Sequence, residues 1–296
     1  MTRWADPPNP DTARRSSPQL MTWHPAAVFG VRRSSVLGSR PPRFQAISTD
    51  LPNPSSAAEG VPMAVVAGID GCPSGWLCLT KDLATGTVQA RILNSISDLL
   101  ALAPRPEVVM VDVPIGLTDA GPRKCDLEAR AHLKPPRSSS VFPAPIRPTL
   151  VATTYAQACQ IGEAADGRKL SQQAWAILPK IREVDTFLRT DATLNQWIRE
   201  VHPEVCFWAW RGNKAMAHRK KSPAGKAERE ALVKPVYGTA YTAAQSSLPR
   251  GQYGNDDLLD AFAALWSGER VVAGKQLLLP AMPPLDSCGL RMEMVA

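Results

Sequence analysis

The sequence contains no CxxC pair and no regular cysteine framework; Cys72, Cys78, Cys125, Cys159, Cys206 and Cys288 are irregularly spaced. A structural zinc site or a disulfide scaffold would need closer or patterned cysteines. No disulfide partner is expected, and a reducing, cytoplasmic compartment is the natural reading. Nothing approaches the roughly 18 consecutive apolar residues of a membrane span. The N-terminus also lacks the basic segment followed by an apolar stretch that marks a secretory signal. No membrane association is therefore expected. Internal repeats are absent, and residues 1–62 contain no lysine.

What is present is enough for a sizeable core: 296 residues, 44% of them hydrophobic, which allows one or two domains. The net charge of +7 and a pI near 9.2 permit a polyanionic partner without requiring one. In residues 1–62, prolines from Pro7 to Pro62 are interspersed with Arg and Ser, and no helical or alternating period survives. This stretch reads as a disordered extension, with Met63 as a candidate start. Asp6, Asp11, Asp50 and Glu59 argue against a transit peptide.

Residues 63–275 carry the patterned part, and 276–296 read as a C-terminal tail. Ala64–Asp70, Trp76–Thr80 and Thr87–Leu93 form a predicted antiparallel meander, with hairpin-like turns between them. Ser95–Leu102 predicts a short helix capped by Ser95 or Ser97, and Val108–Val113 a continuous apolar strand suited to a sheet centre. Residues 119–150 read as a long Pro-, Arg- and Ser-rich connection, within which Arg123 to Arg147 is expected to be a mobile, substrate-contacting flap. Helical spacing returns over Ser171–Leu188, where Pro179 predicts a kink or break. Trp197–Val201 is a predicted strand, Val205–Trp210 a short aromatic helix or turn, and Lys214–Lys234 a basic stretch, helix-prone around Pro223-Ala224-Gly225. Asp256–Arg270 is the clearest helix, capped by Asn255 or Asp256, with Leu259, Phe262, Ala263 and Trp266 on one face.

Acidic residues stand at the ends of these runs. Asp70 closes Val65–Ile69, Asp112 closes Val108–Val111, and Glu204 follows Val201-His202-Pro203. Asp257 and Asp260 lie three apart on the clearest helix and can project toward one spot. Strand ends are where an open α/β sheet places its site, and converging carboxylates repel unless a cation lies between them. The pattern points to a divalent-metal site for phosphate chemistry. Asp260 lies a full turn into the helix beside Phe262, so either a metal or a buried arginine must offset its burial. Asp256 and Asp257 also suit the start of a helix as macrodipole charges. His202 is a candidate proton carrier or a partner of a neighbouring carboxylate. Asp70 before a Gly-containing turn is equally compatible with a phosphate loop for ATP.

Basic residues cluster after the strands: Arg123, Lys124, Arg137 and Arg147 in the long connection, Lys180 and Arg182 beside Pro179, then Lys214, Arg219, Lys220, Lys221, Lys226 and Arg229. Such runs are usually a solvated face. The first six are the candidate substrate contacts, to phosphates of a nucleic acid. Phe207, Trp208 and Trp210 read as core.

Six blocks in order carry a resemblance: Gly68–Trp76, Val111–Leu117, Arg137–Pro145, Pro179–Asp185, Glu200–Glu204 and Asp256–Ala261. Together they resemble the family of predicted ribonuclease-H-like nucleases catalogued as domain of unknown function 429, over about residues 64 to 272. Asp257–Ala261 is also similar to the C-terminal helix of Holliday-junction resolvases. The resemblance implies an α/β, ribonuclease-H-like mixed sheet, an antiparallel meander plus parallel strands, with flanking helices and a long helical or loop insertion. It implies hydrolysis of nucleic acid by two Mg²⁺ or Mn²⁺ ions held by Asp70, Asp112, Glu204 and Asp260, with Asp257 assisting. Two other readings remain open, an ATP-dependent phosphotransferase of the actin-like or sugar-kinase type and a non-catalytic nucleic-acid-binding protein on the same scaffold. A second Gly-rich phosphate loop, which the phosphotransferase would need, is absent.

Overall fold

The computed structural model describes residues 64–296. The expectations for residues 1–62 and for a start at Met63 lie outside the described residues. Strands β1 (Val65–Cys72) and β2 (Gly75–Asp82) form a hairpin across Pro73-Ser74, with Cys72 opposite Gly75. Gly75 is demanded there: its φ is +132°, and a Cβ would stand 2.1 Å from the Leu93 carbonyl oxygen. Strand β3 (Val88–Leu93) completes the expected meander. Strands β4 (Val108–Asp112) and β5 (Ile198–Glu200) then add in parallel on the other side of β1, in the order β3-β2-β1-β4-β5. The protein is thus α/β, with a five-stranded mixed sheet flanked by helices.

The helices are α1 (Lys124–Leu133), α2 (Tyr155–Asp166), α3 (Gln172–Leu188), α4 (Leu194–Trp197), α5 (Pro203–Trp210), α6 (Pro223–Ser247) and α7 (Asn255–Val272). Alternation along the strands assigns the two faces. Val66 on β1 and Val108 and Met110 on β4 join the core beneath α5, α6 and α7, whereas Ala67, Ile69, Val109 and Val111 face the core under α3. Phe207 and Trp208 are buried in the first of these layers. Among the described residues no helix is long and apolar enough to cross a membrane.

Several local expectations are corrected. Residues 119–150 are not a bare flap: they contain α1, whose Cys125, Asp126, Ala129 and Leu133 are buried. The short helix expected after Ser95 does form, over Ile96–Ala101, as a 3-10 helix with Ser95 at its cap. Helix α3 runs unbroken through Pro179, because Ile181 and Val184 are buried against the sheet, with Leu178 also buried, and outweigh one lost backbone bond. The interruption falls instead in α6, where Tyr237, two residues after Pro235, leaves helical geometry at φ −123° and ψ 19°. Helix α2 and the continuation of α6 to Ser247 have no counterpart in the sequence reading.

The segment read as a tail is packed. It forms strands β6 (Leu278–Leu279) and β7 (Met294–Val295), and Val295 bridges in parallel to Val201 just beyond β5. Glu293 is buried and takes both arms of Arg199 at 2.8 and 2.7 Å.

Candidate metal centre

The register of β1 against β4 sets Asp70 directly beside Asp112. Both share the face of Val66, Val108 and Met110, which is the face α7 covers. Close approach of that helix depends on Gly68: a Cβ there would stand 2.2 Å from the Leu265 backbone nitrogen and 2.5 Å from the Ala261 carbonyl oxygen. With the helix seated so tightly, Asp260 reaches the strand ends. The carboxylates of Asp70, Asp112 and Asp260 each offer an oxygen, and these oxygens lie within 4.8 Å of one another.

Asp70 is 7% exposed and Asp260 1%, so water can do little to separate their charges. Burial, followed by the charges of Asp112 and Asp260, holds the Asp70 carboxyl well above its ordinary range. Burial and then Asp260 push Asp112 from 3.8 up to about 7. Near neutrality the Asp70–Asp112 pair therefore retains a proton, which a cation would displace.

Asp260 has a partner, but not the buried arginine that was one of its two expected solutions. The Lys220 Nζ donates to its Oδ2 at 2.8 Å and lies 3.7 Å from Oδ2 of Asp256. Asp260 above all, aided by Asp112 and Asp70, holds this ammonium well above its usual range. Lys220 comes from the segment between α5 and α6, and 43% of its side chain is exposed. One ammonium faces three carboxylates. Oxygen-only donors with unmatched negative charge can hold a metal ion, and the residues fit a hard divalent cation.

Glu204, expected as a further ligand, lies outside this group. Its Oε2 accepts from Arg229 at 2.6 Å, its Oε1 lies 4.0 Å from Arg137, and helix α5 presents it to those guanidiniums. His202 caps the same helix: Nδ1 accepts the Glu204 backbone N–H at 3.2 Å, and Nε2 lies 3.3 Å from the Ser140 carbonyl oxygen. Burial first, then the charge of Lys220, pushes its imidazole down to about 4. It is neutral at pH 7 and both ring nitrogens are engaged, so the structure corrects the proton-carrier reading to a structural one. Asp257 also turns to capping. Its Oδ2 accepts the Gly254 N–H at 2.7 Å, which places the helix cap at Gly254 rather than at Asn255 or Asp256.

Most of the expected substrate cations are spent inside the fold. Arg123 is 2% exposed, and all five of its N–H groups are used: on both oxygens of Glu200 (2.7 and 2.8 Å), both of Asp126 (2.6 and 3.2 Å) and the Ile115 carbonyl (3.0 Å). This guanidinium occupies the second acidic cluster, Cys125, Asp126 and Glu200. Arg147 is clamped between Asp185, at 2.9 Å, and Asp286. Arg182 donates to the carbonyls of Leu150 and Ala152 at 2.7 and 2.8 Å. Lys180 donates to the Gly75 carbonyl at 2.6 Å and lies over the Trp76 ring, locking the β1–β2 turn. A bound phosphate would have to break these contacts, so the structure assigns these four to the scaffold. Arg137 is buried with its Nε unpartnered and donates to the His218 carbonyl at 3.1 Å. Lys124 is exposed, 3.7 Å from Glu128.

Compared with known families, residues 68–284 match the one described as Protein of unknown function (DUF429). The chain belongs to this family. No curated protein and no solved structure matches it. The DUF429 match spans all three aspartates of the centre and Lys220, so the whole constellation lies inside the family domain. Lys220 is the member that spacing could not reveal, because a lysine within Arg219-Lys220-Lys221 looks like any solvated run. Gly68 is similarly silent until a helix lies on it.

Proposed function

We propose that this DUF429 protein is a divalent-metal-dependent phosphodiesterase acting on nucleic acid, on a ribonuclease-H-like scaffold, with Mg²⁺ or Mn²⁺ held by Asp70, Asp112 and Asp260. The observation that carries this reading is the convergence of three carboxylates on one face of the sheet with, among the described residues, a single ammonium to oppose them. The strand order β3-β2-β1-β4-β5, with only β2 antiparallel to its β1 and β3 neighbours, supports the scaffold. So does the position of Asp70 and Asp112 at the C-terminal ends of parallel strands. A divalent ion there supplies Lewis-acid stabilisation of the charge that builds on a phosphodiester and acidifies water.

The protein's own groups do the rest. Asp70 and Asp112 give up the proton they share and become a fixed dianionic pair. Asp260, held on a helix packed directly on Gly68, keeps the third oxygen in place. Arg137, buried and under-partnered, lies on the Glu204 flank of the centre. Glu204 Oε2 is held by Arg229 while its buried Oε1 has no hydrogen-bond partner, so a second ion at Glu204 would sit beside a guanidinium and a single-ion centre is the simpler scheme.

Asp70→Asn removes a charge and little volume. It should abolish both the calorimetric Mn²⁺ signal and metal-dependent cleavage of single-stranded, duplex, hybrid or branched substrates, with an unchanged circular dichroism spectrum. Mn²⁺ binding that persists undiminished in Asp70→Asn would remove Asp70 from the centre.

A further inference from the structure

We propose that Lys220 is a built-in counter-ion that blocks the three-aspartate centre, and that a nucleic-acid phosphate opens the centre to metal by drawing the Lys220 side chain away. This rests on the metal-centre reading above. Lys220 places its ammonium 2.8 Å from Oδ2 of Asp260, one of the three carboxylates a metal would share. A divalent ion ligated by Asp260 would stand roughly 2.0–2.6 Å from a carboxylate oxygen. The two cations would compete for the same oxygens at a separation where repulsion is severe in a partly buried site.

The backbone that carries Lys220 is pinned on both sides. The Glu228 carboxylate accepts the N–H groups of Ala217 and His218 at 2.8 and 3.0 Å, and Arg137 and Arg229 both donate to the His218 carbonyl. On the other side, the Arg219 carbonyl lies so close to Gly225 that a Cβ there would stand 1.9 Å from it, and Ser222 caps α6. The segment cannot easily swing out, but a long lysine side chain that is two-fifths exposed can.

What would draw it out is polyanionic. Lys214, Arg219 and Lys221 on the same segment are exposed and make no ion pair among the described residues. By contrast, Arg123, Arg147 and Arg182 in the expected contact set are engaged internally. The segment that carries Lys220 into the centre therefore also carries the unpaired charges of Lys214, Arg219 and Lys221, and this run fits a phosphodiester backbone. A phosphate bound there offers Lys220 a partner in exchange for Asp260. The carboxylate it leaves is then unopposed and open to a divalent ion.

The test compares wild type, Lys220→Met and Lys220→Arg. By calorimetry without nucleic acid, Lys220→Met should bind Mn²⁺ on the order of tenfold more tightly than wild type, because one competing charge is gone. Lys220→Arg keeps the charge and should stay weak. Fluorescence anisotropy with a labelled single-stranded oligonucleotide, using Ca²⁺ to limit turnover, reads the exchange. With Ca²⁺ the log–log salt slope of Lys220→Met should be about one unit shallower than that of wild type, for one lost phosphate contact. In metal-free buffer the two slopes should be closer. Mn²⁺ binding of equal strength in all three proteins would overturn the counter-ion role while leaving the metal centre standing. No Mn²⁺ binding in any of them would overturn the metal centre itself. A slope difference of the same size with and without Ca²⁺ would make Lys220 a permanent phosphate contact and overturn its release.

Discussion

Two acidic clusters lie at the same end of the sheet and have opposite electrostatic fates. Around Arg123, two buried carboxylates, Asp126 and Glu200, meet a guanidinium whose five N–H groups are all matched, and the Ile115 backbone N–H adds a further bond to Glu200 at 2.6 Å. Around Asp260, three carboxylates meet one lysine ammonium that enters from the surface. The first cluster is closed: its cation is covalent, planar and oriented. It ties the loop after β4 to the end of β5 and to the start of α1. The second is left with excess negative charge and a removable cation. The comparison shows that an acidic cluster points to metal chemistry only when the chain does not already supply its own fully bonded cation.

The largest effect expected from this contrast is at Arg123. Arg123→Met should lower stability by about 3–5 kcal/mol, because it strands two buried carboxylates. Urea denaturation measures it, and a loss below about 1 kcal/mol would break the claim that this cluster is closed.

A smaller effect should appear as pH dependence in the open cluster. Asp112 has its pKa raised from 3.8 to about 7, so the native state binds more protons than the unfolded chain between those values. Its contribution to stability is therefore complete below about 3.8 and is lost as pH rises through about 7. Metal-free protein should lose Tm over that window by an amount that Asp112→Asn reduces, and saturating Mn²⁺ should restore it near pH 7. Identical Tm profiles for wild type and Asp112→Asn would show that Asp112 does not carry the strain.

The smallest effect is at Asp260. Asp260→Asn gives up the Lys220 pair but relieves repulsion on Asp70 and Asp112, and Lys220 can return to water. The net change in metal-free buffer should stay within about 1 kcal/mol, while the Mn²⁺-induced rise in Tm disappears. A metal-free loss comparable with that of Arg123→Met would erase the distinction between the two clusters.

Much of the architecture is legible in the residues alone. Apolar runs ending in Asp70 and Asp112 announce two strands, the Pro73-Ser74-Gly75 turn announces the hairpin between β1 and β2, and the spacing of Leu259, Phe262 and Ala263 announces α7. These follow from local periodicity and turn chemistry, which act over a few residues. The convergence of Asp70 with Asp112 is also half-written there, since both close strands of the same type. The sequence alone could not decide which charges are paired, because partners such as Arg123 and Glu200, Arg229 and Glu204, or Lys220 and Asp260 lie tens of residues apart and look alike as isolated charges. Only the packing of α7 onto Gly68, the burial of α1 and the return of the C-terminal strand beside β5 bring them together. Burial then determines whether each charge is held in a closed ion pair or left able to bind a metal.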